Sequence, residues 1–320
     1  MSDKDPEALL VLPHLRIQNA NAISSPLTWG FPAMTAFTGF THALQRRLAV
    51  EFDFEFVGVA VVCHSFFPQV SRPASKRTLV FSLTRNPLDK DGSTSAIVEE
   101  GRVHLDVSLI IGVCGNDLYA GHNLQTLANR AFQEAIAMRI AGGSVIDSNS
   151  IASTESFQHP SLCIFPDSSE QRRQLSRKLA YRLLPGFALV SREALLENHL
   201  ATMRASTPDA STIDALLDLS RLNIEPPAQN ASDGWQIRAR QGWLVPIPVG
   251  YAAISPLYAP GKVRNARDPN VPFRFVESVF NIGEWISPHR VENVCHLLWR
   301  HRVEPDRGLY RCTTPFFGSC

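Results

Sequence analysis

Two histidines are the first place to look for chemistry. His42 and His64 carry the side chain that moves protons near neutral pH, and a metal-independent ribonuclease needs such an acid and base around a 2′-hydroxyl. His42 falls on an expected helix and His64 at the end of an expected strand, a placement that would let them meet. No Gly-x-Ser-x-Gly elbow, His-Glu-x-x-His run or paired-carboxylate signature accompanies them. Ordinary core and surface histidines are common, so no catalytic residue is expected. The cysteines at 63, 114, 163, 295, 312 and 320 form no Cys-x-x-Cys pair. Cys295, His296, His301 and Cys312 fit no standard zinc spacing, so neither metal nor cofactor is expected.

The second chemical feature is the glycine pair in Arg139-Ile140-Ala141-Gly142-Gly143-Ser144. It follows an amphipathic run, and Gly142 suits the C′ position that ends a helix. A glycine-rich loop also lets a phosphate backbone approach closely, with Arg139 and Ser144 as donors. The spacing excludes a P-loop and a dinucleotide fingerprint. A polar loop upstream supplies Gln18, Asn19, Asn21, Ser24 and Ser25, side chains that read phosphates and base edges. Trp29 and Phe31 follow, and a base stacked on such a ring gains ~1–3 kcal/mol. Phe37 and Phe40 read as core. Basic residues cluster three times: Arg72, Lys76, Arg77 and Arg85; Arg172, Arg173, Arg177, Lys178 and Arg182; and Arg264, Arg267 and Arg274 beside Asn265. The middle cluster reads as the solvated face of a helix. The loop arginines beside Asn265 suit phosphate and base contact better.

Elements must position these groups. Leu9 to Gln18 reads as a strand with Leu15 and Ile17 on one face and Arg16 and Gln18 on the other, and Pro13 suggests a bulge. A helix from about Thr35 carries Phe37, Phe40, Leu44 and Leu48 on one stripe. Phe54 to His64 is a second strand, and Val103 to Leu109 alternates as a third. Asn123 opens a helix expected to run through Ile140. Between residues 66 and 101 lies an irregular insertion with a short strand at 79–83. In the second half, helices are expected at 169–184, 191–204, 213–222, 273–280 and 288–301, with an extended segment at Trp243–Pro248.

Composition sets the outer limits. The 320 residues suit one large domain or two coupled ones. Apolar residues make up 44%, enough for a sizeable core, and the net charge of +1 gives no global field for nucleic acid. Any RNA contact must come from local clustering. The polar start Met1–Glu7 resembles no signal peptide, and no apolar run is long enough for a membrane span, so a cytoplasmic protein without membrane contact is expected.

Longer blocks add a resemblance. Ile17 to Phe31, Phe37-Thr38-Gly39-Phe40 with Ala43 to Arg47, Leu83 to Leu88, Met138 to Ser144, Leu183 to Glu193, Gly242 to Pro248, Val263 to Asp268 and Trp285 to Val291 resemble, in order, the second-subunit family of the type I-F CRISPR surveillance (Csy) complex. The order strand-helix-strand, insertion, strand-helix suits an α+β protein with a ferredoxin-like, RNA-recognition-motif-like split βαβ core, and the resemblance implies an RNA-binding fold related to RNA-recognition motifs. That core would span 1–146 with its insertion at about 66–101, and a less regular helical and extended portion would span 147–320. It implies a non-catalytic subunit that binds the 5′ handle of guide RNA (crRNA), pairs with the large subunit as a heterodimer and touches the terminal backbone subunit. Target DNA would be met only indirectly. The RNA-binding set would be Gln18, Asn19, Asn21, Ser24, Ser25, Trp29, Arg77, Arg85, Arg139, Gly142, Gly143, Ser144, Arg264, Asn265 and Arg267. The alternative is a metal-independent endoribonuclease acting on repeat RNA.

Overall fold

The computed structural model describes residues 4–74, 78–84, 88, 90–95, 98–121, 123–146, 159–226, 234–240 and 242–316. It is a mixed α/β structure built on one curled antiparallel sheet of eleven strands, with five α-helices among the described residues. The strands of the sheet are β1 (Ala8–Asn21), β2 (Glu55–Pro68), β3 (Arg102–Cys114), β4 (Arg139–Ile140), β5 (Gly143–Ile146), β6 (Ser161–Ile164), β7 (Phe187–Ser191), β8 (Trp243–Ala253), β9 (Val276–Ile286), β10 (Arg300–Glu304) and β11 (Leu309–Thr313). The helices are α1 (Met34–Leu48), α2 (Leu124–Ile136), α3 (Ser169–Arg182), α4 (Glu193–Ser206) and α5 (Thr212–Ser220). Strand order is β4-β5-β1-β3-β2-β7-β9-β8-β11-β10, with β6 joining β1 beyond β5. The β2–β7 pairing carries the sheet from the first half of the chain into the second.

The sheet has an apolar layer on each face, and β1 explains how. Leu10 and Leu12 point under α1 and α2, while Leu9 and Val11 point to the other face. Strict alternation would then send Leu15 and Ile17 after Leu9 and Val11. The register shifts between Leu12 and Leu15, where His14 takes φ +47°, so a bulge at Pro13–His14 reverses the parity. Leu15 and Ile17 stay under the helices and Arg16 and Gln18 turn to the opposite face. A second bulge at Gln18–Asn19, with Asn19 at φ +58°, restores Ala20 to the core.

On the first face, Phe37, Phe40, Leu44 and Leu48 of α1 and Leu127 and Phe132 of α2 bury against β1 and β3. The second face is only half covered. Leu179 and Leu183 of the α3 segment, Val190 and Leu297 pack on Leu9, Val11, Val62 and Ile110. Arg173, Arg177 and Lys178 of α3 face solvent, as the basic run suggests. Beyond the bulge the buried cluster of this face does not continue among the described residues.

Two expected helices are absent. Residues 273–280 belong largely to β9, because Val276–Ile286 pairs along β8 over nearly its full length. The apolar spacing of Phe273, Val276 and Phe280 fits a helix period by coincidence with a half-buried strand. Residues 288–301 break into two 3₁₀ turns, Pro288–Arg290 and Val294–Leu297, and then β10. Their buried Val291, Val294 and Leu297 fill the second apolar cluster without a continuous helix. Among the described residues no helix is long and apolar enough to cross a membrane.

Candidate nucleic-acid interface

The glycine pair does not end a helix. α2 starts with Asn123, whose side chain accepts from Gln125 N and Thr126 N, and stops at Ile136 with Ala137 as its C-cap. The expected helix through Ile140 continued the apolar pattern too far: Met138 and Ile140 are buried, but β4 and the turn before it bury them. β4 and β5 form a tight hairpin in which Arg139 faces Ser144 and Ile140 faces Gly143. Its two turn residues, Ala141 at φ +49° and Gly142 at φ +78°, are both left-handed, as a two-residue hairpin turn demands.

The glycines have separate tasks. A Cβ on Gly142 would meet nothing within 4 Å, so this backbone lies open. A Cβ on Gly143 would stand 2.6 Å from Gln18 O and 2.7 Å from Ala20 N, so its bareness lets β5 close on β1.

The open side of the turn faces a cleft of about 650 Å³. Asn21, Ser24 and Gly142 line it on one side, Tyr251 and Tyr310 on the other, and the first turn of α1 closes the end. The N-cap of α1 is Ala33, with no side-chain cap bond, so the first N–H groups of that helix lack a side-chain acceptor. Tyr310 extends a ring ladder: it lies 6.5 Å from Tyr251 and 5.3 Å from His301, which is 6.4 Å from His42. Burial pushes the Tyr310 phenol up to about 12, so the ring stays neutral. Ser24 also lines a neighbouring groove of about 360 Å³ walled by Trp29, Phe31 and Trp285.

The expected contact residues divide. Asn21 bonds the backbone of Ile23 through both amide atoms, at 2.8 and 3.0 Å. The Ser25 hydroxyl is buried and accepts from Leu27 N (3.1 Å) and Thr28 N (3.0 Å), so it shapes a turn. The Ser24 hydroxyl contacts Thr28 Oγ1 at 2.8 Å. Trp29 is half exposed, edge-on to Phe81 at 5.3 Å. Gln18, Ser144 and Arg139 lie side by side on three adjacent strands, on the sheet face opposite α1 and α2. Asn19 sits in the second bulge, its N–H donating to His104 Nδ1 at 3.2 Å. Arg264, Asn265 and Arg267 are exposed on the long loop between β8 and β9, which leaves the sheet just past Tyr251; Asn265 has φ +58°. Arg77 and Arg85 lie outside the described residues.

Comparison with known proteins decides the family. The model of the family described as CRISPR-associated protein (Cas_Csy2) matches residues 10–312. CRISPR-associated protein Csy2 of Pseudomonas aeruginosa (strain UCBPP-PA14) is 58% identical over 326 residues, covering 99% of this chain and 98% of the relative. The chain belongs to this family.

In this Csy2-family chain the two histidines considered for ribonuclease chemistry are kept apart. His42 is on α1, on the helix-covered side of the sheet, and stacks toward His301. His64 is on the other side, where its ring stacks on His14 with centroids 4.2 Å apart. His64 Nδ1 donates to Pro185 O (2.6 Å), which leaves Nε2 to accept from the Ser108 hydroxyl (2.7 Å). Both ring nitrogens are thus engaged, and burial lowers the pKa of the ring from 6.5. Ser108 is 1% exposed and also accepts from His14 N, so it cannot serve as a nucleophile. Cys295 and Cys312, imagined around zinc, pack in different apolar clusters. Tyr251 and Tyr310 escape a reading of the sequence because pairing of β8 with β11, 59 residues apart in the chain, brings them together.

Proposed function

We propose that this Csy2-family chain is a non-catalytic, RNA-holding subunit of a type I-F CRISPR surveillance complex. It grips the 5′ handle of the guide RNA beside the large subunit and the terminal backbone subunit, and target DNA reaches it only through them. The observation that carries this is the cleft: an exposed glycine turn, an uncapped helix amino end and two tyrosines converge on one space. Backbone N–H groups and a helix amino end favour phosphate, and tyrosine rings accept stacked bases. The strand order β5-β1-β3-β2 with α1 and α2 on one face also supports a ferredoxin-like core, the fourth-first-third-second arrangement of a split βαβ unit. Arg264 and Arg267 of the β8–β9 loop add phosphate contacts, and Arg77 and Arg85 of the insertion add others.

The test is a fluorescence-anisotropy titration of the full chain with labelled handle RNA over a salt series. Tyr251→Ala should weaken binding about 5-fold or more. Arg264→Ala with Arg267→Ala should flatten the log–log salt slope by roughly 0.7 for each phosphate no longer neutralised. Unchanged affinity and slope in both variants would remove the cleft and loop from the RNA path. Repeat RNA incubated with the chain in EDTA should stay intact; cleavage abolished by His42→Ala would overturn the non-catalytic reading.

A further inference from the structure

We infer that the half of the sheet face opposite α1 and α2 that no buried cluster of the described residues covers is a second track for single-stranded RNA, with Phe67 as its stacking plate and Arg139 as its phosphate anchor. The inference rests on the RNA-holding role proposed above and extends it to a surface separate from the cleft.

Five adjacent strands each place one residue on a single line across this face. Phe67 of β2 is opposite His104 of β3. His104 sits between the Ile17–Leu105 and Ala20–Val103 pairs, which puts it against the Gln18–Asn19 bulge of β1. Gln18 is opposite Ser144 of β5, and Ser144 is opposite Arg139 of β4. Strands lie ~4.8 Å apart, so the line from Phe67 to Arg139 covers ~19 Å. That is room for a few unstacked nucleotides.

The residues on this line are not spent on the fold. Phe67 is 65% exposed, one residue from the end of β2 and past the last residue that pairs with β7, and, among the described residues, makes no ring contact. A large apolar ring held in water in this way costs burial energy that an inward position would recover. His104 is held from one side: Asn19 N donates to Nδ1 at 3.2 Å, and the Gln69 carboxamide steadies Asn19 by donating to its Oδ1 at 2.5 Å. Gln18, Ser144 and Arg139 are exposed.

Charge points the same way. Arg16 shares this face one row along, beside Asp106. The Asp106 carboxylate also contacts His14 Nδ1, 3.1 Å from both of its oxygens. Glu100, beside the row, is held by Arg102, whose Nε donates to it at 3.0 Å. Among the described residues Arg139, at the end of the line, forms no ion pair, while Arg16 stands across from the Asp106 carboxylate. An isolated aromatic plate, hydrogen-bonding side chains and an unpaired guanidinium at Arg139 suit splayed single-stranded RNA. A duplex hides its base faces, and an apolar protein surface would leave Arg139 without a partner. The β4–β5 hairpin joins the two surfaces: the cleft opens at its turn and the line crosses its strands. The space at Gly142 lets a strand pass from one to the other.

The experiment uses the full chain and a short, unstructured, fluorescein-labelled RNA, with Phe67→Ala, Phe67→Trp and Arg139→Gln compared with Tyr251→Ala of the cleft. Phe67 is exposed, so its variants should fold. Phe67→Ala should bind about 5- to 150-fold more weakly. Phe67→Trp should restore binding and add indole fluorescence that single-stranded RNA, but not duplex RNA, quenches. Arg139→Gln should weaken binding and flatten the salt slope. If Tyr251→Ala weakens binding while Phe67→Ala and Arg139→Gln do not, the cleft reading stands and the second track falls. Quenching of the indole of the Phe67→Trp variant by protein subunits without RNA would make the face a protein interface and overturn the inference. Weaker binding in the Phe67 and Arg139 variants with Tyr251→Ala unaffected supports the track and removes the cleft. An RNA that the unmodified chain does not bind at all overturns both.

Discussion

Replacing Gly143 with alanine should damage the β4–β5 hairpin far more than replacing Gly142, and the structure sets the size of the difference. A Cβ on Gly143 would lie 2.6 Å from Gln18 O, 2.7 Å from Ala20 N and 2.7 Å from Ile17 Cγ2. Two of these are backbone atoms of β1, which is held on both edges and cannot yield. β5 must therefore back away, which weakens the Gln18–Ser144 pairing and the Asn21 N to Ala141 O bond of 2.8 Å. Overpacking of this kind costs about 1–3 kcal/mol, and backbone obstacles put Gly143→Ala near the top of that range. At Gly142 the added methyl meets empty space, and only its φ of +78° is penalised, by about 1 kcal/mol. Amide hydrogen exchange over residues 139–146 reads both. Gly143→Ala should speed it about 30- to 150-fold and Gly142→Ala about 5-fold. A reversed order, with Gly142 the more sensitive, would mean that the pair acts as a helix stop after all.

Two further outcomes follow from buried polar groups. His64 titrates below 6.5 because it is buried and stacked near His14, with the bond to Pro185 opposing in part. A lowered histidine pKa means that the unfolded chain binds the proton more readily. Its contribution is therefore complete above pH 6.5 and is lost as pH falls through the lower folded value. The thermal midpoint should drop on acidification through that window and drop less in His64→Gln; identical slopes would exclude His64. Asp218 collects bonds from His199 (2.9 Å), Arg221 (3.1 Å), Arg238 (3.1 Å) and Asn223 (3.2 Å). Burial alone would raise its pKa, but these donors hold it below the usual carboxylate value. Asp218→Ala should cost about 2–3 kcal/mol in urea unfolding, less than a fully buried pair because both arginines are largely solvated. A loss under about 1 kcal/mol would show the cluster to be passive.

How much of this was legible in the sequence depended on how local each cause was. The α1 stripe, the β3 alternation and the Pro13 bulge each follow from neighbours within a turn or two, and each is present. The hairpin at 139–144 was not legible, since a helix and a strand can share a buried Met138 and Ile140 when a turn is inserted between them. The stretch 273–280 became strand because β8, far back in the chain, offered a partner. Site residues fared likewise. Gln18, Arg139 and Ser144 stand out as candidates by residue type, but the face they share with Phe67 and His104 emerges only from the strand order. Tyr251 and Tyr310 carry no local signal; only strand pairing makes them neighbours.

The double bulge in β1 constrains the chain's history. Because parity reverses at Pro13–His14 and again at Gln18–Asn19, each bulge residue acts as a spacer whose number matters more than its chemistry. Loss of one residue from the first bulge would send Leu15 and Ile17 into water and Arg16 and Gln18 under the helices. The central strand should therefore tolerate substitution at His14 far better than any single-residue insertion or deletion, and length changes among relatives should gather in the connections instead.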